Sequence, residues 1–388
     1  MLRALAVAAL AGALTTVTAA ACGSPAPEGR LLPRNTTFGI TGHGWGHGHG
    51  MSQYGARGAA AEGLTAKEIL RFYYPRTRFD ATAGRISVLI TEDTTRDVIV
   101  QARSGLEAQQ VGGGRTWTLA HRAPKATRWR IVPDGDRSQL EFRVDGNPWR
   151  TAATPAGRLQ FAAGNRPIRL YLPHGSAQYR GVLRSVPGSR NGDTVNVVGM
   201  EEYVKGVVPR EMPATWGRAA VRAQAVAART YATYERAHAP GRTICDTSAC
   251  QVYGGYSAHE APSDAAVAAT AHQILTWKGK AAFTQFSSSN GGFSLAGSEP
   301  YLVSQKDPYE KYGHNPYTDW TARLTLKRVE RHWPGVGPIE SVTVHRGATH
   351  RYVDHVTITG RDKTIEVPAD AFREWAGLRS TWFGITTR

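Results

Sequence analysis

Two hydrophobic periodicities divide the chain into strand-rich and helical regions. Between about 85 and 199, short runs alternate apolar and polar residues, and Gly, Pro, Asn and Asp separate them; the runs cover 85–91, 139–144, 168–172 and 194–198. This pattern predicts strands joined by tight turns. The tail from about 320 to 388 returns to short strands, with one helix near Ala369–Ala376. The whole predicts an α+β fold.

A longer periodicity predicts helix over residues 202–238. Val221, Ala225, Ala228 and Ala232 recur at spacings of four, three and four, which places them on one helical face. The many alanines predict a long helix buried against its neighbours. A second helix is expected over 263–272. Residues 273–277 and 281–286 then flank Lys278-Gly279-Lys280, a pattern typical of a hairpin.

A third helix is expected after residue 65. Thr65 and Glu68 have the spacing of a capping box, and Pro75 closes the segment.

The first residues indicate export. Arg3 precedes an uncharged apolar run over 4–21 that ends in small residues before Cys22, which is the outline of a cleaved secretory signal. Cys22 stands where a lipoprotein signal places its acylated cysteine, so lipid anchoring at Cys22 and release after cleavage both stay open. Residues 22–35, rich in Pro, are expected to form a linker. The predicted location is the cell envelope, anchored or secreted.

The charge balance narrows the partners. The formal net charge is +16, which first suggests nucleic acid. An exported chain rarely meets nucleic acid, and Lys and Arg are dispersed here rather than gathered on one helix. We therefore expect the anionic polymers of a bacterial envelope as the counterpart, no nucleic acid, and membrane contact only through a lipid anchor.

Cys245 and Cys250 form an even pair once Cys22 is set aside. In an oxidising compartment such a pair predicts a disulfide. A zinc site that includes His238 is the lesser alternative, but a fourth ligand is not evident. No other metal or cofactor is expected.

The glycine-rich segment 42–55 carries His43, His47 and His49. Period-two spacing would place the three imidazoles on one face of an extended strand. Glycine suits a backbone that passes close to another group. Metal binding, hydrogen bonding to a sugar or carboxylate, and a merely structural strand are the interpretations that this pattern leaves open.

Glu211 lies between Pro209 and Pro213, which we expect to hold its carboxylate outside the following helix. Neighbouring Val, Met and Trp216 would raise its pKa enough for proton donation near neutral pH. A solvated loop carboxylate is the alternative. Arg229, on a different helical face from Val221, is expected to be either a surface charge or a group that faces substrate.

Three segments together resemble the SpoIID/LytB family. Residues 203–232, which include Glu211, resemble its first signature. Residues 46–56, followed by 69–70 and 73–74, resemble its second, and residues 286–292 its third. The second signature here precedes the glutamate motif, which suggests a circularly permuted order in which residues 36–75 complete the site beside Glu211. Some members carry a Cys and a His in the third motif, where Asn290 and Phe293 stand here.

The resemblance implies a peptidoglycan lytic transglycosylase that cleaves between N-acetylmuramic acid and N-acetylglucosamine. Glu211 matches the family's catalytic glutamate, acting first as acid and then as base. The residues expected to bind substrate are His43, His47, His49, Ser52, Gln53, Tyr54, Arg229, Ser287, Ser288 and Ser289. A binder that enhances a partner cell-wall amidase is one rival, and a zinc amidase built on the histidines is another.

The expected organisation follows the motifs. A signal peptide (1–21) and linker (22–35) precede a first core segment (36–84), a β-rich insert (85–199), a core segment with the glutamate motif (200–320), and C-terminal strands and helix (321–388).

Overall fold

The computed structural model describes residues 30–187, 192–239, 241, 243–312 and 314–387. The expected signal peptide and Cys22 lie outside the described residues. The helices are α1 (Gln53–Ala61), α2 (Ala66–Tyr73), α3 (Leu119–Arg122), α4 (Met200–Glu211), α5 (Arg218–His238), α6 (Ala261–Ala269), α7 (Leu326–His332) and α8 (Ala369–Ala376).

The strands fall in two groups along the chain. Those before α4 are β1 (Thr37–Gly42), β2 (Met51–Ser52), β3 (Arg78–Ala81), β4 (Arg85–Leu89), β5 (Val98–Gln101), β6 (Glu107–Gln110), β7 (Thr116–Thr118), β8 (Arg128–Asp134), β9 (Arg137–Arg143), β10 (Arg150–Ala153), β11 (Leu159–Ala162), β12 (Ile168–Leu172), β13 (Gly175–Tyr179), β14 (Val182–Val186) and β15 (Asp193–Gly199). Those after α5 are β16 (Ile244–Cys245), β17 (Gln273–Trp277), β18 (Lys280–Ala281), β19 (Phe286–Ser287), β20 (Phe293–Ser294), β21 (Gln305–Lys306), β22 (Trp320–Thr325), β23 (Ile339–Arg346), β24 (Val353–Gly360), β25 (Thr364–Pro368) and β26 (Phe383–Thr387).

The α+β class is confirmed. In the described residues the β-rich region forms a seven-stranded sheet, in the order β16-β4-β15-β14-β11-β6-β7, and a six-stranded sheet, in the order β10-β9-β8-β5-β12-β13. One apolar core joins these sheets to α4 and α5, and includes Trp129, Tyr203 and the alanines of α5. Burial of that apolar area supplies the main driving force for folding.

A second core lies in the C-terminal region and also includes Phe38 and Ile40 of β1. Strand β1 pairs antiparallel with both β22 and β26, with Ile40 opposite Ala322 and Ile385. The segment before the glycine–histidine motif is therefore part of the C-terminal sheet, and the motif itself starts where that sheet ends.

The predicted long helix is wrong in one respect, because it is two helices. Met212 precedes Pro213, whose ring disfavours the helical conformation of the residue before it. Met212 is accordingly extended, with φ −139° and ψ 131°, and α4 ends at Glu211. Glu211 lies outside the following helix α5, as expected, but it belongs to α4 rather than to a loop, and Pro209 lies inside α4. Glu211 is the last helical residue, and its carboxyl group leaves from the helix end.

Helix α5 is buried over most of the stretch 220–233, as the alanine spacing predicted, with Val221, Ala225, Ala228 and Ala232 all inaccessible or nearly so. It packs against α1, α2, α4, α6 and β17. The capping box at Thr65 and Glu68 is present. The hairpin turns at Lys278-Gly279, both with positive φ, and joins β17 to β18.

Candidate active site

Glu211 opens into a cleft of about 460 Å³ built from segments far apart in the sequence. The glycine–histidine motif supplies one wall, the end of α4 with Tyr231 of α5 a second, the loop around Cys250 a third, and the strand after Gln285 a fourth. The lining residues are Trp45, Gly46, His47, Gln53, Glu211, Tyr231, Ser248, Ala249, Cys250, Gln285, Phe286, Ser287 and Ser288. Glu211 is the one carboxylate among these described lining residues.

The Glu211 carboxyl group is held on both oxygens. The Val252 backbone N–H donates to Oε1 at 2.7 Å, and the Gln53 side-chain amide donates to Oε2 at 3.5 Å. Burial raises the pKa of Glu211, against the opposing effects of these two donors and of Arg210. The alternative of a solvated loop carboxylate is therefore wrong.

A disulfide closes the loop that ends two residues before the Val252 donor. Cys245 and Cys250 are bonded to each other. The Cys245 end continues β16, which pairs with β4, and Thr91 donates to both carboxylate oxygens of Asp246. Both sulfurs are engaged in this bond. No group of three or more His, Cys, Asp or Glu that could hold a metal ion occurs within the described ranges.

The glycine–histidine motif is not a regular strand, so the expected single face of imidazoles is wrong. Gly44, Gly46, Gly48 and Gly50 all have positive φ, which interrupts the extended backbone at every second residue. A Cβ on Gly50 would lie 2.0 Å from the Gln285 carbonyl oxygen, so a side chain there is sterically excluded. The motif threads between two partners, bridging Trp45 to Ser289 and Gly46 to Ser380.

The three histidines consequently have different surroundings. His47 lines the cleft, and its Nδ1 accepts the His49 backbone N–H at 3.0 Å. Burial, with a smaller effect from His49, lowers the pKa of His47 to about 4, so its imidazole is neutral at neutral pH. His49 stacks on His47 with ring centroids 5.2 Å apart. His43 instead pairs with Thr318 and Asp319, and is not among the residues that line the cleft.

The remaining expected binding residues also divide. Gln53, Ser287 and Ser288 line the cleft. Ser52 and Ser289 are buried, at 0% and 1% exposure, so the expectation that they bind substrate is wrong. Ser52 caps α1 through the Gly55 N–H, which explains its burial.

Tyr54 lies outside the cleft lining. Its ring packs on Trp216 and Tyr317 at centroid distances of 4.8 and 5.3 Å.

Ser52 and Ser289 share a partner that sequence reasoning missed, Glu310. Its carboxylate accepts hydrogen bonds from both serine hydroxyls, the Asn290 N–H and the Asn315 amide. Glu310 is fully buried, and burial with neighbouring Asp307 raises its pKa to about 7. Asp307 accepts from the Tyr73 hydroxyl and the Asn290 amide, at 2.7 and 2.8 Å. This network joins the second and third signatures.

Arg229 does not face substrate, and neither expectation for it is correct. Its side chain is fully buried and donates to both carboxylate oxygens of Glu201, at 2.9 and 2.7 Å. Its remaining N–H groups reach backbone carbonyls of Ala225, Val267 and Gln273. Such a bidentate, fully hydrogen-bonded guanidinium ties α5 to the start of α4.

Residues 189–277 match the family model described as stage II sporulation protein, SpoIID. The chain carries a SpoIID/LytB-family domain. The matched residues hold α4, α5, the disulfide loop and Glu211, so the SpoIID domain supplies the carboxylate and two walls of the cleft.

Proteins of known name that are similar to this chain include an amidase enhancer and two stage II sporulation proteins D. The chain is 39% identical to the amidase enhancer of Bacillus subtilis (strain 168) over 133 residues, which are 33% of this chain and 17% of that protein. It is 29% identical to stage II sporulation protein D of the same organism over 230 residues, covering 51% and 64% of the two chains. Stage II sporulation protein D of Bacillus amyloliquefaciens is 32% identical over 151 residues, which are 33% of this chain and 44% of that protein. The chain thus spans less than two thirds of each of these relatives.

These relatives support a role connected with the cell wall. Within the residues described, no helix has the length and apolarity needed to cross a membrane.

Proposed function

We propose that this protein is an exported lytic transglycosylase of peptidoglycan, with Glu211 as its acid and base. The observation that carries the proposal is a single carboxyl group in the cleft whose pKa is raised by burial. Ordinary glycosidases pair two carboxylates across the bond. One suffices when the substrate itself supplies the nucleophile.

The chemistry needs one proton and one site. Protonated Glu211 donates to the glycosidic oxygen, and the bond to the muramyl anomeric carbon breaks, releasing the N-acetylglucosamine hydroxyl. The resulting carboxylate then removes the proton of the muramyl 6-hydroxyl while that oxygen bonds to the anomeric carbon. Glu211 regains its proton, an anhydro ring closes, and no water is consumed. We assign no cofactor to this cycle.

The cleft offers neutral groups for the sugar. Ser287 and Ser288 line it, and a serine side chain brings no charge to the cleft. Neutral His47 also lines the cleft. Gln53 orients the carboxyl group through Oε2. These groups bind an uncharged pyranose without competing for the Glu211 proton.

A second candidate function is enhancement of a partner amidase without cleavage. The relative named amidase enhancer favours it, at 39% identity over 133 residues. The same cleft would then bind a glycan strand and Glu211 would have no chemical role.

The Glu211→Gln variant separates the two. Purified wild-type and variant proteins are incubated with glycan strands stripped of stem peptides, and anhydromuramyl ends are counted by mass spectrometry. We expect the variant to lose at least ~100-fold in product yield, because general acid–base catalysis contributes about that much or more. Gln keeps the size of the side chain and the hydrogen bond from Val252.

The control is Glu62→Gln, an exposed carboxylate at the end of α1. It should leave the yield unchanged. Equal yields from wild type and Glu211→Gln would remove Glu211 from the chemistry. The absence of anhydromuramyl product from both proteins would favour the enhancer function.

A further inference from the structure

Four aromatic side chains form a continuous row on the surface next to the cleft, which we name the aromatic row: Trp45, Tyr317, Tyr54 and Trp216. Successive ring centroids are 4.6, 5.3 and 4.8 Å apart. Trp45 is 44% exposed, and the other three rings are half-buried. Large exposed aromatic surface in contact with a cleft is typical of a binding site rather than of a core.

The row is preorganised, although its members come from three separate segments. Trp45 exchanges backbone hydrogen bonds with Ser289, and the Tyr54 N–H donates to the Ser288 carbonyl at 3.0 Å. The Tyr317 N–H donates to the Asn315 side chain at 2.9 Å. Rings fixed by their backbones lose little conformational entropy on binding, so their apolar surface contributes to affinity at low cost.

Two arginines flank the row. Arg57 lies 5.1 Å from the Trp216 ring and 5.9 Å from the Tyr54 ring. Arg379 lies 5.3 Å from the Tyr317 ring and 5.7 Å from the Trp45 ring. Neither guanidinium has a carboxylate partner in the part of the chain that the structure describes. Each can therefore pair with a ligand carboxylate while it stays on its ring.

One end of the aromatic row lies in the cleft that contains Glu211. Trp45 lines the same cleft as Glu211, and Gln53, the neighbour of Tyr54, hydrogen-bonds that carboxyl group. Apolar C–H faces of pyranose rings pack on aromatic side chains, and the lactyl groups of muramic acid carry carboxylates. The alternation of ring surface and positive charge therefore matches a strand of neutral sugars with regularly placed anions.

We propose that the aromatic row is an extended subsite for an anionic glycan strand, holding the sugars beyond the bond at Glu211. The proposal rests on the proposed function for the identity of the strand, since it deepens the substrate binding of the same site. Aromatic surface contacts the sugar faces, and Arg57 and Arg379 bind lactyl carboxylates. Stem-free strands fit best, because an amide-linked peptide removes that charge.

The test measures binding apart from cleavage. Glu211→Gln protein is titrated with stem-free peptidoglycan strands and with chitin oligosaccharides of the same length, which lack carboxylates. Tyr317→Ala in this background should weaken binding of both ligands by about five- to tenfold, the effect of losing one aromatic anchor. Arg57→Gln with Arg379→Gln should weaken the anionic strand and leave chitin binding unchanged.

Trp149→Ala is the matched control. Its half-buried ring carries two arginines, Arg130 and Arg143, but lies in the β-rich region outside both apolar cores. It should bind both ligands as the parent does. Unchanged binding in Tyr317→Ala would contradict the proposal that the aromatic row binds the glycan strand. Equal loss for chitin and anionic strands in the arginine variant would overturn the carboxylate contacts.

The two proposals fail differently. If wild type makes no anhydro ends while the binding pattern appears as stated, transglycosylation is wrong and the aromatic row stands. If cleavage occurs and Tyr317→Ala binds normally, the row is wrong and the chemistry stands.

Discussion

Glu211 depends on a balance between burial and two hydrogen-bond donors. Burial favours the protonated carboxyl group, whereas the Val252 N–H and the Gln53 amide favour the carboxylate. Burial is the larger effect, so the pKa lies above the ordinary value of a glutamate. Because a general acid must hold its proton at the working pH, activity should fall as pH rises through this raised pKa.

Residue roles were predictable where a local pattern carried them. The setting of Glu211 among apolar neighbours correctly indicated the direction of its pKa shift. The prediction for Arg229 was wrong because a helical face shows only whether a residue points inward or outward. It does not show that Glu201, 28 residues away in the sequence, accepts the guanidinium hydrogen bonds. Glu310 was missed because nothing in its local sequence distinguishes it; its burial comes from Ser52 and Ser289 on distant segments.

Glu310 should make stability depend on pH. Burial raises its pKa from the ordinary 4.5 to about 7 in the folded protein, so the folded state binds its proton more tightly than the unfolded state. This contribution to stability is fully present below about pH 4.5 and is lost as pH rises through about 7. In wild type, titration of Glu310 should lower the free energy of unfolding by roughly 3 kcal/mol across that window. Glu310→Gln should not show this decrease.

Chemical denaturation at a series of pH values measures this slope. Glu62→Gln, which removes an exposed carboxylate, is the control and should keep the wild-type slope. A Glu310→Gln protein with the same pH slope as wild type would show that Glu310 does not titrate there.

At the scale of elements, backbone geometry explains the most informative difference. Alternating Gly and His reads as an extended strand, but positive φ at every second residue turns it into a winding segment held between Ser289 and Ser380. The sequence indicates that the backbone at these glycines passes close to another segment. It does not show that the neighbouring segments are those of Ser289 and Ser380. The break between α4 and α5 is different, because Pro213 alone is sufficient to predict it.

The disulfide loop is the element that positions the Glu211 donor. Val252 follows Cys250 by two residues, and its N–H lowers the pKa of Glu211. In a Cys245→Ser, Cys250→Ser double variant, loosening of the loop should weaken this bond. We expect the pKa of Glu211 to rise further and the basic limb of the pH–rate profile to move to higher pH. Turnover should fall between ~10-fold and ~100-fold, because the carboxyl group is no longer held in position. Stability should fall by roughly 2 kcal/mol.

Reductant provides the control. It should produce the same shift in wild type and no further change in the double variant. A lower stability with an unshifted pH profile would mean that the disulfide only stabilises the fold and does not position the carboxyl group.

At the scale of the molecule, the site is assembled by topology. Strand β1 belongs to the C-terminal sheet, and the glycine–histidine motif that follows ends in β2, which pairs parallel with β19. Helix α4, which follows the β-rich region in the chain, supplies Glu211. The α+β class, the β-rich region and the buried alanine helix were all predictable from periodicity. The pairing of β1 with β22 and β26 was not, because partners 278 to 349 residues apart leave no local pattern.

Net charge belongs to this scale as well. A formal charge of +16 should draw the protein toward anionic wall polymers over distances set by the Debye length, which falls from ~30 Å at 0.01 M salt to about 8 Å at 0.15 M. Sedimentation with purified walls should therefore show clearly weaker binding at the higher salt. Uncharged chitin is the control, and equal salt dependence on both would contradict steering by wall charge.

The source of the oxygen that closes the product tests the central claim most directly. Stem-free strands are digested in water labelled with heavy oxygen, and the new muramyl ends are examined by mass spectrometry. Our account predicts unlabelled anhydro ends, because the 6-hydroxyl of the sugar attacks and Glu211 only moves protons. Labelled reducing ends would show that water is the nucleophile, and would contradict the assignment of Glu211 to transglycosylation.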